Sequence, residues 1–122
     1  MRRIPALLHA TDLEVLVGGD DWALEGFCAG ATGWVTGVAD VAPAQCVALY
    51  EHCRAGELDA AREVYRRLLP LGRFDMTPKL VQYFKAAMDE VGLAGGATRP
   101  PRLPLTDGER AALFDATAVA TV

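Results

Sequence analysis

The chain has 122 residues, of which 52% are hydrophobic and 23% are charged, and its net charge is −4. This composition is typical of a globular domain and excludes an intrinsically disordered protein, while the scattered basic residues argue against a nucleic-acid-binding surface. No apolar run of about 18 residues occurs, so no transmembrane helix is predicted, and three cysteines without a scaffold spacing indicate free thiols in a reducing cytoplasm.

The first 40 residues predict a strand–helix–strand unit. The predicted elements are the end of a helix at 3–11, a strand at 14–18, a helix at 22–29 and a strand at 33–38. Asp20 or Asp21 is expected to cap the helix and Gly30 to end it. Because such a unit joins parallel strands, and two strands do not form a stable sheet alone, the sequence predicts neighbouring strands that it does not contain.

After Pro43 the sequence predicts helices joined by loops. The predicted helices cover 43–54, 57–69 and 78–91, and a last one runs from Thr106 to about Ala116. Gly56 lies beyond the end of the first helix, and Pro70 is expected to stop the second. The stretch 93–105, rich in glycine and proline, is predicted to be a loop, and the tail 117–122 is expected to be frayed.

The helix predicted at 78–91 has the clearest pattern. Thr77 is its expected N-cap and Gly92 its expected stop. One face repeats apolar residues at helical spacing, namely Leu80, Val81, Phe84, Ala87, Met88 and Val91. Thr106 and Glu109 form the spacing of a capping box, which predicts the start of the last helix.

Five segments in order resemble the C-terminal part of the dihydrodipicolinate synthase / N-acetylneuraminate lyase family. They are VLVGGDD at 15–21, AGATGWVTGVADVAP at 29–43, RAGELDAAREVYRRLLPL at 54–71, TPKLVQYFKAAMDEVGL at 77–93 and TRPPRLPLT at 98–106. The resemblance implies an α/β fold, the C-terminal βαβ portion of a (β/α)₈ TIM barrel followed by a helical extension. It divides the chain into 1–42, with the seventh and eighth barrel strands and their connecting helix, and 43–122, with the C-terminal helices.

The resemblance also implies the chemistry of the parent enzyme. Members of this family are class I aldolase-type lyases that act on 2-keto acids through a lysine Schiff base, whose iminium is a better electron sink than a ketone. That lysine lies on the sixth strand, which would precede Met1. Lys79 and Lys85 both fall on the predicted helix 78–91, so no catalytic residue is expected in this chain, and the isolated chain is expected to be inactive.

Four residues are expected to bind substrate: Gly19, Asp20, Val35 and Thr36. They follow or end predicted strands, and barrel enzymes build their sites at the carboxyl ends of strands. The plainer interpretation is a tight turn with a helix cap at the first pair and ordinary strand packing at the second. Asp40 stands where many members of the family carry asparagine.

No metal and no cofactor is expected. Cys46 and Cys53 lie seven residues apart on one helix and are interpreted as small buried hydrophobic residues, because a zinc site needs four convergent ligands. Trp22 and Trp34 are interpreted as core residues.

The expected partners are a small-molecule 2-keto acid, once an upstream barrel half completes the site, and further copies of the chain. Association is expected through an exposed strand edge, and neither nucleic acid nor membrane is expected as a partner. An alternative function stays open, namely a non-catalytic helical module, derived from such an enzyme, that dimerises or docks a partner.

Overall fold

The computed structural model of the protein describes residues 2–122. It has six α-helices and two strands in these residues: α1 (Arg3–Ala10), β1 (Leu16–Val17), α2 (Ala23–Cys28), β2 (Gly33–Trp34), α3 (Pro43–Ala55), α4 (Leu58–Gly72), α5 (Leu80–Glu90) and α6 (Asp107–Ala120). Single turns of 3₁₀ helix at Asp20–Trp22, Val38–Asp40 and Arg73–Met76 connect several of them. The element order therefore follows the predicted one, a strand–helix–strand unit and then helices.

The two strands pair in parallel, as predicted. Leu16 lies beside Gly33 and Val17 beside Trp34, and the amide of Val35 donates to the carbonyl of Val17 at 2.9 Å. Both strands are shorter than the predicted ranges 14–18 and 33–38. The second ends early because the chain turns after Trp34 into the 3₁₀ turn Val38–Asp40.

Helix α2 packs directly on β1. A Cβ atom at Gly26 would lie 2.2 Å from a methyl carbon of Val17, so only glycine allows this approach. Gly30 has φ +100° just beyond the C-cap residue Ala29, which confirms it as the stop of the helix. The predicted aspartate cap is wrong, since α2 begins without a side-chain cap and the Asp20 carboxylate bonds elsewhere.

The core lies among α3, α4, α5 and α6. Its largest fully buried apolar side chains are Leu49, Leu71, Leu113 and Val38, and Cys46 is buried with them. The expectation that Pro70 ends α4 is wrong, because the helix continues to Gly72. A proline this close to a helix end removes only one amide donor, and the helix beyond it buries Leu71 completely.

The ends of α5 and α6 differ from the predicted ends. Thr77 is not the N-cap of α5, because its hydroxyl donates to the carbonyl of Phe74 at 2.8 Å and the helix begins at Leu80. The capping box of Thr106 and Glu109 is confirmed. The expectation of a frayed tail from residue 117 is wrong, since α6 continues to Ala120 and buries Thr117 in the core.

Apolar side chains in and beside the sheet lie at the surface. Exposed fractions reach 64% at Leu13, 55% at Leu16 and 66% at Val35. Trp22 is 41% exposed, so its assignment to the core is wrong, whereas Trp34 packs against the core. Among residues 2–122, the helices are too short and too polar for any of them to span a bilayer.

The capping box gives a stability prediction. Replacement of Thr106 by alanine removes the acceptor for the Glu109 amide and is expected to lower the free energy of unfolding by about 1 kcal/mol. Thr106→Ser keeps the hydroxyl and is the matched control. Urea denaturation at one protein concentration measures both variants, and equal stability of the alanine and serine variants would contradict the prediction.

Candidate functional site

A buried carboxylate joins the two loops that follow the strands. Asp20, which is 3% exposed, lies just after β1. Its Oδ1 accepts a hydrogen bond from the Trp34 indole nitrogen at 3.0 Å. Its Oδ2 accepts from the amides of Gly37 and Val38, both at 3.1 Å. Three donors, one at the end of β2 and two just after it, therefore converge on one side chain.

The buried position of this carboxylate shifts its own pKa, and the carboxylate affects the pKa of a nearby thiol. Burial raises the pKa of Asp20 above its ordinary value of 3.8, and the neighbouring carboxylate of Asp75 raises it further. Hydrogen bonds from Thr36, Val38 and Trp34 stabilise the charged carboxylate and lower its pKa, but they only partly offset the effect of burial. Burial, together with the nearby Asp20, also raises the pKa of the Cys46 thiol to about 12, so that thiol stays protonated.

The helical part of the chain also holds this turn. The amide of Asp20 donates to Oδ2 of Asp75 at 3.3 Å, and Asp75 lies in the 3₁₀ turn after α4. The hydroxyl of Tyr65, on α4, donates to the carbonyl of Asp21 and lies 3.2 Å from a carboxylate oxygen of Glu25. The turn after β1 is thus fixed from both the sheet side and the helix side.

The structure brings the four expected substrate-binding residues to the same end of the sheet. Gly19 is buried, and a Cβ atom there would lie 2.1 Å from the Trp22 ring. Val35 is exposed, and Thr36 is half-buried with its hydroxyl accepting from the Val38 amide at 2.9 Å. Both carboxylate oxygens of Asp20 are occupied by bonds within the chain.

Two cavities border the segment after β2. One, of about 310 Å³, is lined mainly by apolar groups and includes Trp34, Thr36 and Cys46. The other, of about 500 Å³, lies between Gly37 and the half-exposed face of α5 that carries Met88. Sequence patterns did not identify α5, Tyr65 or Asp75 as neighbours of the site, because 44 and 55 residues separate the latter two from their hydrogen-bond partners.

Neither lysine lies on a strand. The ammonium group of Lys79 bonds both carboxylate oxygens of Glu109, at 2.7 and 2.8 Å, and this contact lowers the pKa of Glu109 to about 2. Lys85, on α5, donates to the carbonyl of Gly95. Over residues 2–122, histidine, cysteine and acidic side chains do not cluster in threes as a metal site requires.

Comparison with known proteins gives consistent matches. The sequence model of the Dihydrodipicolinate synthetase family matches residues 3–119. A 4-hydroxy-tetrahydrodipicolinate synthase from Kineococcus radiotolerans is 40% identical over 109 residues, which are 88% of this chain and 35% of that protein. One from Methanococcus maripaludis is 26% identical over 116 residues, 95% of this chain and 40% of that protein.

The solved structures agree on the fold. The crystal structure of dihydrodipicolinate synthase from Thermotoga maritima superposes with a TM-score of 0.86 at 28% identity, covering 97% of this chain and 43% of that one. The fold is the C-terminal βαβ portion of a (β/α)₈ barrel followed by a helical extension, which confirms the predicted class. The chain spans about two fifths or less of the length of the relatives named above.

The raised pKa of Asp20 gives a pH prediction. Between pH 3.8 and the higher native value, the folded chain keeps a proton that the unfolded chain has lost. The contribution of this carboxyl to stability is therefore full below pH 3.8 and falls as the pH rises through the native pKa. Denaturation of wild type and Asp20→Asn over this range measures it, because titrations common to both chains cancel in the difference.

The free energy of unfolding of the wild type minus that of Asp20→Asn is expected to fall with rising pH and then level off above the native pKa of Asp20. A difference that rises through the same window would contradict the prediction. The indole N–H resonance of Trp34, which donates to Asp20, gives an independent reading. Its shift should titrate with a midpoint above 3.8, while the resonance of Trp22 is the internal control.

Proposed function

The chain belongs to the dihydrodipicolinate synthetase family, and we propose that it supplies the closing part of a lyase of that family that acts on 2-keto acids. The match over residues 3–119, with two parallel strands in the order of the family's last barrel strands, supports this proposal most directly. Barrel enzymes place their sites at the carboxyl ends of strands. The proposed reaction is aldol cleavage or condensation, dehydration or deamination.

In this proposal Gly19, Val35 and Thr36 line the substrate pocket. Gly19 permits close approach of the backbone, Val35 offers its carbonyl, and Thr36 offers a small hydroxyl. Asp20 acts on the substrate only by positioning the pocket. Its two carboxylate oxygens already accept hydrogen bonds from Trp34 and from the backbone amides of Gly37 and Val38. It therefore fixes the distance between the two loops that the substrate would contact.

The nucleophile of this reaction is assigned to a lysine outside these 122 residues. A Schiff-base lysine must reach the pocket with its amine free to lose a proton. Lys79 is held by a carboxylate, and Lys85 by a backbone carbonyl. Both belong to the region of α5, and neither lies on a strand.

The exposed apolar residues of the sheet support completion by further barrel strands. Leu13, Leu16 and Val35 would be covered by neighbouring strands and helices, at roughly 25 cal/mol per Å² of apolar surface. We place the completed enzyme in the cytoplasm as a homo-oligomer. The same exposed residues would serve the alternative function, a non-catalytic docking module, and complementation separates the two.

The first test is trapping of a Schiff base on the chain alone. Incubation with pyruvate and borohydride is expected to leave its mass unchanged, because Lys79 is paired with Glu109, Lys85 bonds the carbonyl of Gly95, and neither lies on a strand. A known lyase of the family, treated in parallel, is the positive control. A stoichiometric pyruvyl adduct on either lysine would overturn the assignment of the nucleophile.

The second test is complementation. Co-expression with the first six βα units of a relative is expected to yield a soluble complex with 2-keto-acid lyase activity. Thr36→Val should then lower kcat/KM by about tenfold, since one hydrogen bond to a charged substrate is lost, while Thr36→Ser should restore it. Thr98→Val, distant in sequence and half-buried, is the control. A stable but inactive complex would favour the docking module.

A further inference from the structure

A cavity of about 290 Å³ lies between α5, the connector 93–105 and the start of α6. Its polar lining groups are Gln82, Lys85, Asp89, Thr98, Arg102 and Arg110. Gln82 and Asp89 line this cavity but not the cavity beside Gly37, which the face of α5 carrying Phe84 and Met88 borders. The cavity is therefore separate from the site proposed above, although Lys85 borders the cavities on both sides.

The wall of this cavity is held rigidly on α5. Lys85 donates to the carbonyl of Gly95 at 2.5 Å, and the amide of Gly95 donates to Oδ1 of Asp89 at 2.9 Å. A Cβ atom at Gly95 would lie 1.9 Å from the carbonyl oxygen of Lys85, so the connector touches the helix backbone here. The start of the connector is thus fixed against α5 on this side of the cavity.

The charge of the lining favours an anion. Arg102 and Arg110 form no ion pair or side-chain hydrogen bond with any of residues 2–122. Asp89 is the one acidic residue in the lining, and its Oδ1 is already occupied by the Gly95 amide. Guanidinium groups present paired donors whose geometry matches carboxylates, so two of them suit a ligand with two carboxylates.

The buried side-chain amide of Gln82 adds a second requirement for the ligand, namely a hydrogen-bond donor. Gln82 is only 8% exposed, and its Nε2 donates to the carbonyl of Leu103 at 3.1 Å. Its Oε1 has no hydrogen-bond partner in the described part of the chain. Buried acceptors are nearly always paired, and a ligand that carries a hydroxyl beside its carboxylates would supply the donor.

We propose that this cavity binds a small hydroxycarboxylate anion. Its carboxylates bond Arg102 and Arg110, and its hydroxyl donates to Gln82. The volume holds a dicarboxylate of about four carbons with some water, in line with the small end of ligand pockets. Binding here is independent of the proposed enzyme activity, so it can be measured on the chain as it stands.

The experiment uses malate and succinate, which differ by one hydroxyl. Each is titrated into ¹⁵N-labelled protein at constant ionic strength, and the amide shifts of Gly96, Ala97 and Thr98 are followed. Both are expected to saturate, with malate about tenfold tighter because it alone satisfies Gln82. A linear response that never saturates would overturn the proposal.

Matched variants separate the cavity from general charge effects. Arg102→Gln and Arg110→Gln should each weaken malate binding by about tenfold. Arg66→Gln removes the same charge from the exposed face of α4, where Arg66 pairs with Glu63, and should leave affinity within about twofold. Equal losses in the three variants would overturn the assignment to this cavity.

Gln82→Met tests the hydroxyl contact with a side chain of similar length. Malate and succinate should then bind equally, and circular dichroism verifies the fold. A malate preference that survives this substitution would overturn the role of Gln82, because some other acceptor would then be reading the hydroxyl. These experiments measure binding and not lyase activity. A failure of the binding proposal therefore leaves the proposed lyase function untouched, and a failure of the lyase proposal leaves the binding proposal untouched.

Discussion

The carboxylate of Asp20 is the contact on which the geometry of the site depends. It connects the turn after β1 to Trp34, Gly37 and Val38, and so it decides where the second strand ends. The amides at 37 and 38 cannot extend a sheet while they donate to this side chain. Because they turn away, Thr36 comes to the carboxyl end of the sheet instead of lying within a longer strand.

Burial of the Asp20 carboxylate costs free energy, and its hydrogen bonds compensate for part of that cost. A buried carboxylate without a cation is unfavourable unless several donors compensate its lost hydration. Asp20 has those donors, but its burial, together with the nearby carboxylate of Asp75, still keeps its pKa raised. Tyr65 and Asp75 hold the same turn from α4 and the segment after it.

The division of the chain at residue 42 remains a prediction, and one core includes Ala23 and Leu113 from its two sides.

Two local signals in the sequence were correct because contacts between near neighbours decide them, although the local cap expected at Thr77 was wrong. Gly30 and the Thr106 capping box end and begin helices through contacts with their own neighbours in sequence, and both were identified correctly. The errors at Asp20 and Pro70 have another origin. Asp20 satisfies donors 14 to 18 residues away, and the helix around Pro70 continues because Leu71 is buried by other helices. The substrate contacts of Gly19, Val35 and Thr36 remain predictions.

The helices, not the strands, supply the rigidity of the site. Two strands that pair over two residues each contribute too little to set their own geometry. The segments around them are fixed because Val17 packs on Gly26 and because Tyr65 holds the Asp21 carbonyl. In the proposed enzyme, the last two strands would therefore join the barrel with their carboxyl ends already positioned. In the proposed enzyme, the exposed side chains of Leu16 and Val35 are among those that neighbouring strands would cover.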